Sequence, residues 1–230
     1  MAARYPLPDA KPGDTVQERV KLALREAITR GDLAPGAKVH QASIAKSLRV
    51  SVTPVREALR DLAAEGLIAL DAHRGARVRL IDLDEFLEIR QLMEFMEPLC
   101  ARLAAERITD DELATLHAIQ DQLERVTAAS DYLPLNADFH DYMTTAAKAP
   151  RLAAILGPLR VASRVVITTA LGTVPSRVEQ GIEEHRPILA ALRRRDGDAA
   201  AEATVRHLAP TWDAVEALCR SRAAATTVPD

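Results

Sequence analysis

Residues 49–67 read RVSVTPVREALRDLAAEGL, and no other stretch restricts the fold as tightly. Thr53 is placed to cap a helix whose first position is Pro54, where the missing proline N–H is not needed. Val55, Leu59, Leu62 and Ala63 then recur at helical spacing and define one buried face. Arg56 and Arg60 fall on the opposite face. A basic pair on the exposed first turns of a short, anchored helix fits a DNA major groove, where an arginine fork grips guanine or phosphate. The stretch is therefore read as a recognition helix.

The flanking segments predict a winged arrangement around it. Thr15 with Glu18 forms a capping box, and Val16, Val20, Ala23, Leu24, Ala27 and Ile28 continue at helical spacing until Gly31. Turn residues at 32–36 lead to a second helix near Gln41–Leu48, with Ile44, Ala45 and Leu48 inward, and residues 49–51 complete a helix-turn-helix. After Gly66 the apolar period changes to two. Residues 67–70 and 76–80 predict a hairpin with Val78 and Leu80 inward and Arg77 and Arg79 outward. His73 and Arg74 mark its tip, within reach of a minor groove, and Gly75 supplies the tight bend. His73 is equally compatible with a solvated turn.

From Ile81 onward only helical patterns occur. Asp82 with Glu85 caps a helix to about residue 105, in which Pro98 is expected to introduce a kink, and Thr109 with Glu112 starts another to about 130. Further helices are predicted at about 131–148, 151–171, 176–195 and 198–221. Six helices with short connections make an antiparallel bundle able to enclose a pocket. The expected organisation is mainly α: a flexible arm at 1–14, a winged helix-turn-helix domain at 15–80, an all-helical effector-binding and dimerisation domain at 81–222, and a flexible tail at 223–230.

Charge separates the two halves. Residues 1–80 carry 14 Lys and Arg against 9 Asp and Glu, while the remainder carries 16 against 24. A basic first domain suits a polyanion, and the acidic second one does not. Cys100 and Cys219 match no zinc-ribbon or C-x-x-C spacing and read as buried, reduced thiols, which points to the cytoplasm. No apolar run reaches membrane-spanning length, and the polar, proline-bearing N-terminus lacks a signal-peptide core.

Three of the six histidines stand on separate predicted bundle helices: His140, His185 and His207. Asn136 precedes His140 by one turn, so both project from one face. Three imidazoles converging with one position left open suit zinc first, with nickel or manganese also compatible. Three unrelated half-buried histidines remain the alternative from spacing alone. Arg90, in R-x-x-x-E with Glu94, is either an effector-carboxylate clamp or an i,i+4 ion pair. Phe86, Phe95, Phe139 and Trp212 read as core or pocket wall, and His40 and His117 as surface residues.

The segments VQERVKLALREAI, GDLAPG, ASIAKSLRVSVTPVREALRDLAAEGLIAL and HRGARV resemble the winged-helix domain of GntR-family transcription regulators over Val16–Val78. The second half, through EIRQLMEFMEPLCARLAAERI, NADFH and EEHRPILAALRRRDGDAAAEATVRHL, resembles the all-helical FCD effector domain of the FadR-type branch. The resemblance implies that Arg56 contacts the operator, with Thr53, Arg60, Arg74 and Gly75 as further contacts. Arg49, Ser51 and His73 complete the DNA-facing set. Val52 stands where members carry Arg or Pro, and can replace a polar contact by an apolar one to a thymine methyl. Arg49 stands where most have Gly, at a turn that favours positive φ. For the bundle, the resemblance implies a divalent metal held by Asn136, His140, His185 and His207 beside the effector, with Arg90 and Asn136 toward the effector. Asn136 replaces the commoner Asp, which makes the site one charge more positive and favours an anionic ligand.

The expected function is a cytoplasmic, homodimeric, ligand-responsive regulator, most simply a repressor, that binds double-stranded operator DNA and a small carboxylate. Two other readings stand beside it. A metal-dependent hydrolase would need a general base that the motifs do not supply. The other is a DNA-binding protein whose bundle only dimerises.

Overall fold

In a computed structural model, residues 7–9, 13–29, 31–71, 75–126, 129–174 and 176–226 are described. Two compact units are present, one built on residues up to Leu80 and one on residues from Ile81.

The first unit contains α1 (Val16–Thr29), β1 (Lys38–Val39), α2 (Gln41–Leu48), α3 (Val52–Ala64), β2 (Ile68–Asp71) and β3 (Gly75–Val78). The Glu18 amide donates to the Thr15 hydroxyl at 3.1 Å and the Thr15 amide donates back to Glu18 at 2.8 Å, which closes the capping box before α1. Arg19 donates to the Pro8 carbonyl at 2.9 and 2.8 Å, so part of the expected free arm is tied to α1. Val20, Leu24 and Ile28 of α1, Ile44 and Leu48 of α2, and Val55, Ala58, Leu59 and Leu62 of α3 are buried. Of the inward set expected in α1, Val16 is exposed, at the frayed first turn.

The recognition helix begins earlier than its proline suggests. Ser51, extended at φ −72° and ψ 164°, is the N-cap, and Thr53 already has helical backbone. Proline is tolerated at any of the first few helical positions, because none of those N–H groups has an intrahelical partner. Pro54 therefore does not mark the first one. Ala58, not Ala63, completes the buried face. The three strands pair antiparallel in the order β1-β3-β2, with Ile68 opposite Val78 and Val39 opposite Ala76. The two-residue β1, too short for period analysis, covers the outer edge of β3. Val78 is buried, but Leu80 is exposed. The ladder ends at Val78, two residues before Leu80, so no strand pairing sets the face on which Leu80 lies. Arg77 is half-buried and donates to the Gly36 carbonyl at 3.2 Å, so it does not simply face outward.

The second unit contains α4 (Leu83–Arg107), α5 (Asp110–Leu123), α6 (Ala129–Ala146), α7 (Pro150–Thr173), α8 (Ser176–Arg193) and α9 (Gly197–Thr226). Asp82 accepts from the Glu85 amide at 2.9 Å, and Thr109 with Glu112 forms a full capping box. α4 packs on α9, α6 and α8, while α8 also packs on α9 and α5. α5 stops at Leu123, short of the expected 130, where its buried row of Leu113, Leu116, Gln120 and Leu123 ends. α9 continues to Thr226, past the boundary expected at 222, so residues 223–226 are helical and not a flexible tail. Trp212 and Phe86 are buried with ring centroids 6.0 Å apart. Phe95, expected in the core, is 84% exposed on α4. Cys100 and Cys219 are buried and unbridged. No helix among the described residues is long and apolar enough to cross a membrane.

Candidate metal centre and nucleic-acid interface

On the first unit, Arg49, Ser51, Thr53, Arg56 and Arg60 are all exposed, on the turn between α2 and α3 and on α3 itself. Arg49 closes α2 in the left-handed conformation, φ 56° and ψ 44°, with an exposed side chain. The backbone position that favours glycine is thus occupied by a cation. Ser51 and Thr53 are exposed, and the Ser51 hydroxyl makes no capping bond to the α3 amides. The helix N-terminus and its hydroxyls are therefore open to an anion such as a backbone phosphate. The Arg56 and Arg60 side chains are 51% and 60% exposed, and both rest on Glu57, at 3.4 and 2.9 Å. Ion pairs this exposed contribute roughly 0–1 kcal/mol, so releasing both arginines to a groove costs little. Gly75 has φ 77° and pairs with Asp71 at the loop end of the hairpin. His73 and Arg74 lie outside the described residues.

In the second unit, α6, α8 and α9 bring His140, His185 and His207 together, all buried, with one ring nitrogen of each within 4.8 Å of the others. His140 Nε2 and His207 Nε2 are 3.1 Å apart. Two nitrogens bound about 2.0–2.1 Å from a tetrahedral zinc stand roughly 3.3 Å apart, so this pair has nearly the spacing of two ligands. Phe139 stacks on His185 at 4.0 Å between ring centroids and holds its plane.

The neighbours fix which nitrogens face inward. The Gln120 amide nitrogen donates to the Ile182 carbonyl at 3.0 Å and to Glu124 at 3.1 Å, so its oxygen is turned to His185 Nδ1, 3.1 Å away. Only a protonated Nδ1 satisfies that contact. Likewise His207 Nδ1 lies 3.1 Å from Glu184 and donates to it. Both rings therefore turn Nε2 away from those partners and toward the cluster, the arrangement by which outer partners orient metal-bound histidines. His185 Nε2 is buried with no hydrogen-bond partner. Burial, reinforced by repulsion from His207, holds the His185 pKa well below the ordinary histidine value and keeps it neutral. Burial disfavours the charge on Glu184, yet hydrogen bonds from Arg177 and His207 bring its carboxyl down to about 2. An orphaned buried imidazole nitrogen and two rings oriented by outer partners fit a divalent cation.

Asn136 is half-buried, one turn before His140, and its side-chain oxygen accepts from the Tyr132 hydroxyl at 2.9 Å. Asp138 is exposed. Arg90 takes the ion-pair role: Glu94 at 2.7 Å, Glu216 at 2.8 Å and Asp213 at 2.9 Å engage its guanidinium, which locks α4 to α9. With three carboxylates already on it, Arg90 is corrected from an effector clamp to a structural cation.

Two features escape sequence patterning. Arg160 of α7 forms a buried pair with Glu97 of α4, their side chains 7% and 2% exposed. It also donates to the His140 carbonyl at 3.0 Å and the Thr144 hydroxyl at 2.6 Å, so it positions the α6 turn that carries His140. Burial works against the Arg160 cation, but Glu97 overcomes this and raises its pKa above the usual range. The second feature is the Gln120 and Glu184 pair behind the imidazoles. Glu184 borders His185 in the chain, but nothing marks Gln120, which arrives from another helix.

Comparison with known proteins agrees with both halves. Residues 16–78 match the model described as bacterial regulatory proteins, gntR family, and residues 88–210 match the FCD domain. A probable D-xylose utilization operon transcriptional repressor of Paenarthrobacter nicotinovorans is 31% identical over 202 residues, covering 85% of this chain and 86% of its own. The transcriptional repressor RspR of Escherichia coli is 29% identical, covering 86% and 87%. The solved structure of E. coli McbR/YncC superposes with a TM-score of 0.76 over 91% of this chain and 99% of that one, at 22% identity, which speaks to the fold. With an exposed basic pair on the second helix of a helix-turn-helix, a β2–β3 hairpin after it and an all-helical second half, both halves matched across most of their length, this chain belongs to the GntR family of bacterial DNA-binding transcription regulators, in the FadR-type branch that carries an FCD domain.

Proposed function

We propose that this regulator is a homodimeric, cytoplasmic repressor whose FCD domain binds a small organic acid at a metal centre formed by His140, His185 and His207, with Asn136 as a fourth donor from the protein or a contact to the effector. The observation that carries the reading is the convergence of three buried imidazoles with an orphaned Nε2. Zinc suits three nitrogen donors best, and nickel or manganese can use the same set. The metal supplies a Lewis-acidic anchor for a carboxylate, while the protein orients the imidazoles through Gln120 and Glu184 and excludes bulk water.

At the other end, Arg56 and Arg60 enter the major groove of each half-site. Arg49, Ser51 and Thr53 hold phosphates, and the wing with His73, Arg74 and Gly75 follows the adjacent minor groove. Val52, exposed at the first position of α3, meets a thymine methyl. Both relatives above are named as repressors, which supports that sign of regulation. Effector binding changes operator affinity through a coupling of about 1–3 kcal/mol, or roughly 5–150-fold.

The test is calorimetry with a panel of organic acids before and after chelation, followed by operator titration with and without the bound acid. Metal-dependent uptake without turnover, coupled to altered operator affinity, is the expected outcome. Turnover indicates a metal-dependent enzyme, and no uptake leaves a bundle that only dimerises.

A further inference from the structure

On α8, Arg177, Gly181 and His185 follow one another at i, i+4 and i+8, which places them on one face of the helix. Arg177 is buried. Its Nη1 donates to Glu184 at 2.8 Å and Gln180 at 3.1 Å, and its Nη2 to Glu184 at 2.9 Å and Thr211 at 3.2 Å. Its Nε is buried and has no hydrogen-bond partner. Gly181 leaves a notch between Arg177 and His185. The Tyr132 hydroxyl enters it, so close that a Cβ at 181 would overlap the phenol oxygen and approach Arg177 Nη2 to 3.8 Å. Glu184 links this group to the histidines by accepting from His207 Nδ1. A buried guanidinium with an unused N–H and a phenol hydroxyl thus wall one side of the imidazole cluster.

Charge then selects the ligand. Three neutral imidazoles and the amide of Asn136 do nothing to offset a divalent ion, and Glu184, the carboxylate that accepts from His207, is already neutralised by Arg177. A bound metal leaves two positive charges uncompensated inside the bundle, an expensive state in a low dielectric. One carboxylate would cancel only half of that.

We propose that the effector is a small dicarboxylate, one carboxylate completing the metal shell and the other accepting hydrogen bonds from Arg177 and the Tyr132 hydroxyl, with Arg177 as the residue that selects a dianion over a monoanion. This rests on the metal-centred reading above. The Tyr132 hydroxyl, which donates to Asn136 in the free protein, turns to the incoming carboxylate.

The experiment is calorimetry on the full chain at saturating zinc, with succinate and butyrate as probes, which share a four-carbon skeleton and differ by one carboxylate. Succinate is expected to bind at least about tenfold tighter, the scale of one added charge-assisted contact. In Arg177→Gln the preference should fall to near unity while zinc content and butyrate binding persist. Because that substitution leaves Glu184 without its partner, the double variant Arg177→Gln/Glu184→Gln, checked by circular dichroism, carries the test if the single variant does not fold. Equal binding of the two acids by the wild type, or a succinate preference that survives in the double variant, overturns the dianion assignment and leaves the metal-centred reading standing. Failure of the wild type to hold zinc or either acid overturns both.

Discussion

On α3 two cations sit in water, Arg56 and Arg60 each more than half exposed and resting lightly on Glu57, whereas the three imidazoles of the bundle are buried and fixed by named partners. The difference teaches where each site stores its specificity. The α3 backbone is anchored by Val55, Ala58, Leu59 and Leu62, but its arginines are held only by exposed pairs, which would let them settle against the bases of the proposed operator. At the histidine centre it is the side chains that are preset. Gln120 and Glu184 fix how the His185 and His207 rings are turned, and Arg160 holds the turn that carries His140. A DNA-reading surface tolerates adjustment because phosphates supply most of its affinity. A buried metal site tolerates little, because an unpaired charge there is costly.

Substitutions can break this contrast, beginning with the largest effect. His185→Ala should reduce zinc retained after gel filtration from one equivalent per chain to background while circular dichroism is unchanged. A variant that holds full zinc by elemental analysis removes His185 from the site. Arg160→Met should cost about 3–5 kcal/mol in urea denaturation, because Glu97 is left charged and buried. Replacing both Glu97 and Arg160 by apolar residues of similar volume should restore most of the loss, and a single variant of native stability would mean the pair is solvated. Arg56→Ala should cost roughly 1–3 kcal/mol of operator binding and flatten discrimination at one base pair, while leaving zinc content untouched. An unchanged gel-shift titration would move the reading face off this side of α3.

The smallest effect is that of pH on the metal-free protein. His185 is held neutral in the folded state, below its unfolded value of about 6.5, so the unfolded chain takes up the proton more readily. The stability contributed by neutral burial is present above about pH 6.5 and is lost as the pH falls below it. Melting temperature should therefore drop between about pH 7 and about pH 5.5, and zinc should steepen the drop because protons compete with the metal. A flat profile would show that the ring is hydrated.

How much of this was legible depends on how local each signal is. The capping boxes at Thr15 and Thr109 and the apolar face of α2 are where sequence spacing places them, because a capping bond or a helical face needs only neighbours three or four residues away. The start of α3 was displaced because proline fits several early helical positions. β1 was missed because a two-residue strand has no period. Leu80 and Phe95 were placed inside on periodicity, yet both face water where the ladder or the packed face has ended. Arg90 shows the same limit in a charged residue. Its neighbour Glu94 was visible at i+4, but Asp213 and Glu216, which settle its role, come from the far end of the chain.

What the sequence determined by itself is therefore the set of helices, the wing, the identity of the exposed arginines and the three candidate imidazoles, since each follows from short-range spacing and residue chemistry. Only the tertiary structure decided that the imidazoles meet, which way their nitrogens turn, and that Tyr132 stands beside them. Those facts depend on contacts between residues more than twenty positions apart, made when apolar faces of separate helices are withdrawn from water together, and no local pattern encodes such an encounter.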